Sequence, residues 1–136
     1  MQKVCLMTLV ALSATACVTE RTYSGTDTPV AERQFDKQGA ARERMQLGLT
    51  YLQRGNSEQA KYNLNKAVEY APNISEVHMA MAYYYQTVGD IERTEESYKK
   101  AISLSDVTGD ARNNFGVFLC QQNKFAESEK MFLAAI

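Results

Sequence analysis

The stretch that decides the fold is residues 41–74, ARERMQLGLTYLQRGNSEQAKYNLNKAVEYAPNI, whose pattern recurs 34 residues later and then recurs again after a further 34. Two positions of this period hold small residues, and large apolar residues lie between them. The small residues are Gly48, Ala60, Ala82, Thr94, Gly116 and Ser128. A fixed period of this length is typical of helix–turn–helix repeats, in which neither helix can bury its apolar face without its neighbours.

The period divides the chain into a first repeat at 41–74, a second at 75–108 and an incomplete third at 109–136. We expect the small residues where the two helices of a repeat approach closely, with large residues such as Leu64 and Tyr98 beside them. Residues 131–136 are all apolar, whereas the end of a solenoid needs a polar outer face. The sequence is therefore expected to be a piece of a longer protein, and a naturally short chain is the alternative.

The ends of the helices are marked by turn and capping residues. Second helices of repeats are predicted at Ser57 to Tyr70 and at Ile91 to Leu104. Asn56 and Asn73 are each followed three residues later by Gln or Glu, a pattern that predicts a helix N-terminus. The first two repeats have glycine in the turn between their helices, but the third has Asn123, which predicts a longer or looser turn.

The residues Leu47-Gly48, Tyr51, Ala60, Ala67 and Pro72, with their echoes in the next two repeats, closely resemble the tetratricopeptide repeat (TPR). This resemblance implies an all-α fold, a right-handed superhelical solenoid of antiparallel helix pairs. It also implies a concave groove, lined by first-helix positions, that binds a partner. The matching residues are Arg42, Met45, Leu49, Leu52, Gln53, Met79, Tyr83, Gln86, Asn113, Val117, Cys120 and Gln121, with Glu76, Thr87 and Asp110 at the remaining positions.

Such a groove is apolar and aromatic at its centre and has amide groups beside it. This character suits an amphipathic helix or a short peptide laid into the groove. The alternative for each of these residues is that it only packs within the superhelix.

Residues 1–16 have the features of an export signal. Lys3 provides a positive start, residues 4–12 are mostly apolar but too few to span a bilayer, and small residues lead to Cys17. The small residues before Cys17 resemble the bacterial lipobox, which implies lipidation of Cys17 and attachment to the membrane through acyl chains. An ordinary secretory signal cut near Ala16 is the alternative. Residues 17–40 are then expected to form the lipidated N-terminus and a flexible tether, although residues 34–40 also suit a helix.

The sequence offers no combination of residues for catalysis. The formal net charge of −1 gives no electrostatic basis for binding nucleic acid. His78 is the single histidine and Cys120 has no thiol partner in the mature chain, so neither a metal site nor a nucleophile with its base is expected. His78 is predicted to pack or to be half exposed, and Cys120 to be buried or to line the groove. We expect no enzyme activity, no cofactor and no small-molecule substrate.

Two segments, residues 42–61 and residues 113–120, resemble the PilF/PilW family of type IV pilus biogenesis lipoproteins more specifically than they resemble TPRs in general. This resemblance implies a pilotin, which binds secretin subunits and promotes their localisation and multimerisation. The residue after Cys17 is Val18, whereas the inner-membrane retention signal of such lipoproteins has Asp at this position. The resemblance therefore implies the periplasmic face of the bacterial outer membrane as the location. The alternative is a generic periplasmic TPR lipoprotein scaffold for cell-envelope assembly.

Overall fold

The computed structural model describes residues 34–104 and 109–136. The predicted export signal, Cys17 and most of the predicted tether lie outside these residues. All regular structure in the described ranges is helical, which confirms the predicted all-α TPR solenoid. The helices are α1 (Lys37–Gln53), α2 (Ser57–Tyr70), α3 (Ser75–Val88), α4 (Ile91–Leu104), α5 (Gly109–Gln121) and α6 (Phe125–Ala135).

The turns inside the three helix pairs have the same form. Gly55 and Gly89 have φ values of 76° and 80°, and Asn123, at the matching position, has a φ of 62°. In the third turn Lys124 N–H donates to the Leu119 carbonyl at 2.9 Å, the same bond that closes the first two turns. The prediction of a longer or looser third turn is wrong, because asparagine also tolerates the left-handed conformation.

Of the two predicted N-cap residues, Asn56 caps a helix and Asn73 does not. The Asn56 side chain accepts a hydrogen bond from Gln59 N–H at 3.1 Å, which confirms it as the cap of α2. The prediction for Asn73 is wrong, because α3 begins at Ser75 and the capping position therefore falls on Ile74. Ser75 ties this end of α3 to α4 instead, since its hydroxyl donates to the Ala101 carbonyl at 2.9 Å.

An unpredicted cap fixes the start of α1. The Asp36 carboxylate accepts from Gly39 N–H at 2.9 Å, and α1 begins at Lys37. Residues 37–40, which were assigned to the tether, are therefore the first turn of a helix. This agrees with the alternative that residues 34–40 also suit a helix, except that residues 34–36 precede α1.

The small residues lie where the helices of a pair meet. A Cβ atom placed on Gly48 would be 2.7 Å from Leu64 Cγ, and one on Gly116 would be 2.8 Å from the Phe132 ring. The buried Ser128 hydroxyl donates to the Gly116 carbonyl at 2.7 Å, so this small polar residue is also satisfied. The prediction of close approach at these positions is confirmed.

Neighbouring repeats are joined by apolar clusters to which both repeats contribute. Leu52, Leu64 and Met81 belong to one buried cluster that joins α1, α2 and α3. Between the second and third repeats, the rings of Tyr98 and Phe115 stack with centroids 5.4 Å apart. Each helix pair therefore buries its apolar face on the next one, as in other repeat solenoids.

An ion pair reinforces the contact between the second and third repeats. The Glu95 carboxylate on α4 accepts from Lys124, which precedes α6, and also lies 3.4 Å from Lys99 Nζ. The hydrogen bond from Lys124 holds the pKa of Glu95 below its ordinary value of 4.5. At this pH a larger fraction of Glu95 is therefore charged in the folded state than of an unpaired glutamate.

In the part of the chain that the structure describes, no helix has the length and apolar character needed to cross a bilayer.

Candidate protein-binding groove

A cavity of about 510 Å³ lies along the first helices of the three repeats. Its walls come from α1, α3 and α5, and α4 contributes one residue. The lining residues are Met45, Leu49, Gln53, Glu76, Met79, Ala80, Tyr83, Gln86, Tyr98, Asn114 and Val117. We call this cavity the groove.

The centre of the groove is built by one position of the repeat. Leu49, Tyr83 and Val117 are spaced by 34 residues, so the three helix pairs place them side by side. Tyr83 is 49% exposed and Val117 is 43% exposed, although both are large and hydrophobic. An apolar surface of this kind, continuous across three helices, is a feature of protein interaction sites.

A polar chain crosses one wall of the groove. The Tyr98 hydroxyl donates to Gln86 Oε1 at 3.3 Å, and Gln86 Nε2 donates to Gln121 Oε1 at 3.1 Å. Burial raises the pKa of Tyr98, so its hydroxyl stays protonated and remains a donor at neutral pH. Gln86 is held by two partners and keeps one amide hydrogen, from the two on its Nε2, for a bound segment.

Most of the predicted groove residues line the cavity. Those that do are Met45, Leu49, Gln53, Met79, Tyr83, Gln86 and Val117, together with Glu76. The predicted residues that are exposed but lie outside the cavity lining are Arg42, Thr87, Asp110, Asn113, Cys120 and Gln121. Gln121 is joined to the groove through its hydrogen bond with Gln86. Whether any of these residues binds a partner stays a prediction.

Leu52 does not lie where it was predicted. Its side chain is only 7% exposed and packs in the core cluster with Met81 and Tyr84 of α3. It stabilises the contact between the first two repeats and is not part of the groove surface.

Three lining residues were missed, namely Ala80, Tyr98 and Asn114. Ala80 and Asn114 occupy the same repeat position. Identifying either one as a lining residue would therefore have identified the other through the period. Tyr98 was assigned only to the core, and it is indeed 5% exposed; its hydroxyl nevertheless reaches Gln86 at the groove wall.

His78 and Cys120, the two residues considered for chemistry, differ in their surroundings. His78 is half-buried, and its Nε2 lies 2.7 Å from the Pro72 carbonyl oxygen, as suits a packing role. Cys120 is an exposed free thiol that does not line the groove, so the prediction that it is buried or lines the groove is wrong. Within residues 34–104 and 109–136, no three His, Cys, Asp or Glu side chains come together as a possible metal site.

Family models for the tetratricopeptide repeat match residues 44–74, 75–107 and 108–136. The chain belongs to the tetratricopeptide repeat family, whose arrays provide surfaces for binding other proteins. Among curated proteins it is 37% identical, over 130 residues, to the type IV pilus assembly protein PilF of Pseudomonas aeruginosa. The alignment covers 96% of this chain and 50% of PilF. An uncharacterised protein of Haemophilus influenzae is 43% identical over 102 residues, which cover 75% of this chain and 57% of that protein.

Two solved structures lead to the same group of proteins. The structure of P. aeruginosa PilF has a TM-score of 0.69 and 38% identity, over 73% of this chain and 45% of PilF. The structure of PilW, described as a widely conserved type IV pilus biogenesis factor, has a TM-score of 0.65 and 26% identity, over 70% of this chain and 44% of PilW. These similarities confirm the resemblance to the PilF/PilW family. The chain spans about half the length of the curated relatives it matches.

Proposed function

We propose that this protein is a non-catalytic TPR scaffold of type IV pilus biogenesis that binds secretin subunits in its groove. It promotes their localisation and multimerisation while acyl chains on Cys17 hold it at the periplasmic face of the outer membrane. The observation that carries this proposal is the apolar column of the partly buried Leu49 and the exposed Tyr83 and Val117, in a chain related to PilF.

The groove has the chemistry that a peptide segment needs. Its apolar column gains free energy when a partner covers it, at about 25 cal/mol for each Å² removed from water. The amides of Gln53, Gln86 and Asn114 can then bond to polar groups of the bound segment. A groove of this kind takes an amphipathic helix or a short extended peptide.

The anchor supports the same function. A lipid attached to Cys17 keeps the scaffold at the membrane where the secretin assembles, so binding occurs at high local concentration. Metabolic labelling with palmitate provides the test: the label is expected on the unmodified protein and is expected to be lost in Cys17→Ser. An unlabelled protein found free in the periplasm would instead mean an ordinary secretory signal.

Secretin binding is tested by co-purification from solubilised cell envelope with the full-length protein. Tyr83→Asp places a charge in the groove, and Tyr62→Asp is the matched control because Tyr62 is 53% exposed on α2, outside the groove. Val117→Asp and Val88→Asp form a second pair, with 43% and 45% exposure. Circular dichroism establishes that each variant is folded.

We expect the unmodified protein and both control variants to retain the secretin, and both groove variants to lose it. Equal retention by all four variants would rule out the groove as the binding site. If the unmodified protein retains other envelope proteins but no secretin, the pilus function is wrong and the generic envelope scaffold takes its place.

A further inference from the structure

The groove contains one charged side chain. Glu76, in the first turn of α3, is an exposed residue that lines the cavity, and every other lining residue is neutral. None of the ion pairs of the described residues involves Glu76. The groove is therefore an apolar and amide-lined surface with one unpaired negative charge.

Glu76 lies at the end of the groove where the first helices of the repeats begin. Asp110 is exposed at the matching place on α5, so a second carboxylate belongs to the same end of the first helices. Arg42 has the matching place on α1, and neither Asp110 nor Arg42 lines the cavity. At the opposite end of the groove, Gln53 and Gln86 are neutral amides.

We propose that the groove selects an apolar segment that carries a lysine or arginine, and that this cation pairs with Glu76. The inference rests on the proposed function and specifies the segment that the groove accepts. A segment that places an acidic residue or a C-terminal carboxylate at this end of the groove is rejected.

The selection follows from the removal of water on binding. In the free protein the Glu76 carboxylate is hydrated, but an apolar segment that covers the groove displaces this water. A carboxylate left without a partner beside an apolar surface is destabilising, and a cation on the segment offsets the loss. An acidic residue would add repulsion, so the charge acts more on the choice of partner than on affinity.

Glu76 also affects the stability of α3, independently of any effect on binding. A carboxylate in the first turn of a helix interacts favourably with the helix dipole. Glu92 occupies the first turn of α4 in the same way but does not line the groove. Glu92→Gln is therefore the matched control for Glu76→Gln, since both remove one first-turn carboxylate.

The experiment measures binding of the full-length protein to overlapping peptides that cover the cognate secretin, by fluorescence anisotropy at low and high salt. We expect the bound peptides to carry Lys or Arg next to apolar residues. Glu76→Gln should weaken their binding about two- to fivefold, the effect of losing one partly exposed ion pair. Glu92→Gln should leave binding unchanged, and high salt should reduce the difference between the unmodified protein and Glu76→Gln.

A charge exchange completes the experiment. Replacing the basic residue of a bound peptide by Glu should weaken binding to the unmodified protein by more than Glu76→Gln does, and Glu76→Lys should reverse this loss. If the peptides lose binding to Tyr83→Asp but bind Glu76→Gln as well as the unmodified protein, this inference is overturned and the proposed function stands. If the unmodified protein binds neither the secretin nor any of its peptides, both are overturned.

Discussion

Replacing Gly48 by alanine tests how closely the two helices of the first repeat approach. The new methyl carbon would be 2.7 Å from Leu64 Cγ and 3.2 Å from the Ala60 carbonyl oxygen, both well inside normal contact. Overpacking of this kind costs about 1–3 kcal/mol. Alanine has a higher helix propensity than glycine by about 1 kcal/mol, which opposes that loss. We therefore expect Gly48→Ala to lower the free energy of unfolding by about 0–2 kcal/mol.

The two effects separate in a double-mutant cycle with Leu64→Ala. Leu64 is fully buried, so its truncation alone should lower the free energy of unfolding by about 2–5 kcal/mol. In that background the clash with Leu64 is absent and only the 3.2 Å contact with the Ala60 carbonyl oxygen remains, so Gly48→Ala should raise stability by up to about 1 kcal/mol through helix propensity. The two substitutions should therefore couple by about 1–3 kcal/mol, the size of the overpacking loss.

The measurement is urea denaturation followed by far-UV circular dichroism and by tyrosine fluorescence, which must give coincident transitions. Ala82 provides an internal comparison, because this position in the second repeat already carries a methyl group and is fully buried opposite Tyr98. A coupling below about 0.5 kcal/mol would refute the reasoning, since it would show that Leu64 does not limit the approach at Gly48. A stabilising effect of Gly48→Ala in the unmodified background would refute it as well.

Other predictions use the same urea measurement. Asn56→Ala should lower the free energy of unfolding by about 1 kcal/mol through loss of the α2 cap, whereas Asn73→Ala, which removes no cap bond, should change it by less than about 0.5 kcal/mol. Asn123→Ala should lower it by about 1 kcal/mol and Asn123→Gly should not, because only alanine is strained at positive φ. Because Lys124 lowers the folded-state pKa of Glu95, the stability from this pair is complete above the ordinary pKa of 4.5 and is lost as the pH falls through the lowered value. Glu95→Gln should remove this acid-dependent part, and an unchanged pH profile would contradict the assignment.

The sequence predicted the fold because packing imposes the same requirement on every repeat. The contact between paired helices accepts only a small residue, so Gly48 and Gly116 recur at the period and reveal it. The predicted bounds of α2 and α4 are those observed, since turns and caps mark both ends of each helix. The prediction for Asn73 is wrong because the N-cap position of α3 is Ile74, one residue later. The sequence pattern alone does not distinguish a true N-cap from a capping residue that lies one position too early.

The groove was predicted less completely, because exposure depends on how neighbouring repeats are stacked. Leu52 and Leu49 are both apolar residues of α1, but Leu52 is buried in the core cluster, whereas Leu49 is only partly buried against it and also lines the groove. The sequence alone does not give the angle between repeats, and a small rotation exchanges a core residue for a lining residue.

Under the proposed function, the residues that contact a partner are those that packing does not determine. The position of Gly48 must be small in every repeat, so it carries no information about the partner. The position occupied by Arg42, Glu76 and Asp110 is exposed in all three repeats, and its charge changes sign from the first repeat to the second. Packing does not require this change, and of these three residues only Glu76 lines the groove, where we propose that it selects a basic segment. The same fold can therefore present a different groove to each partner without loss of stability.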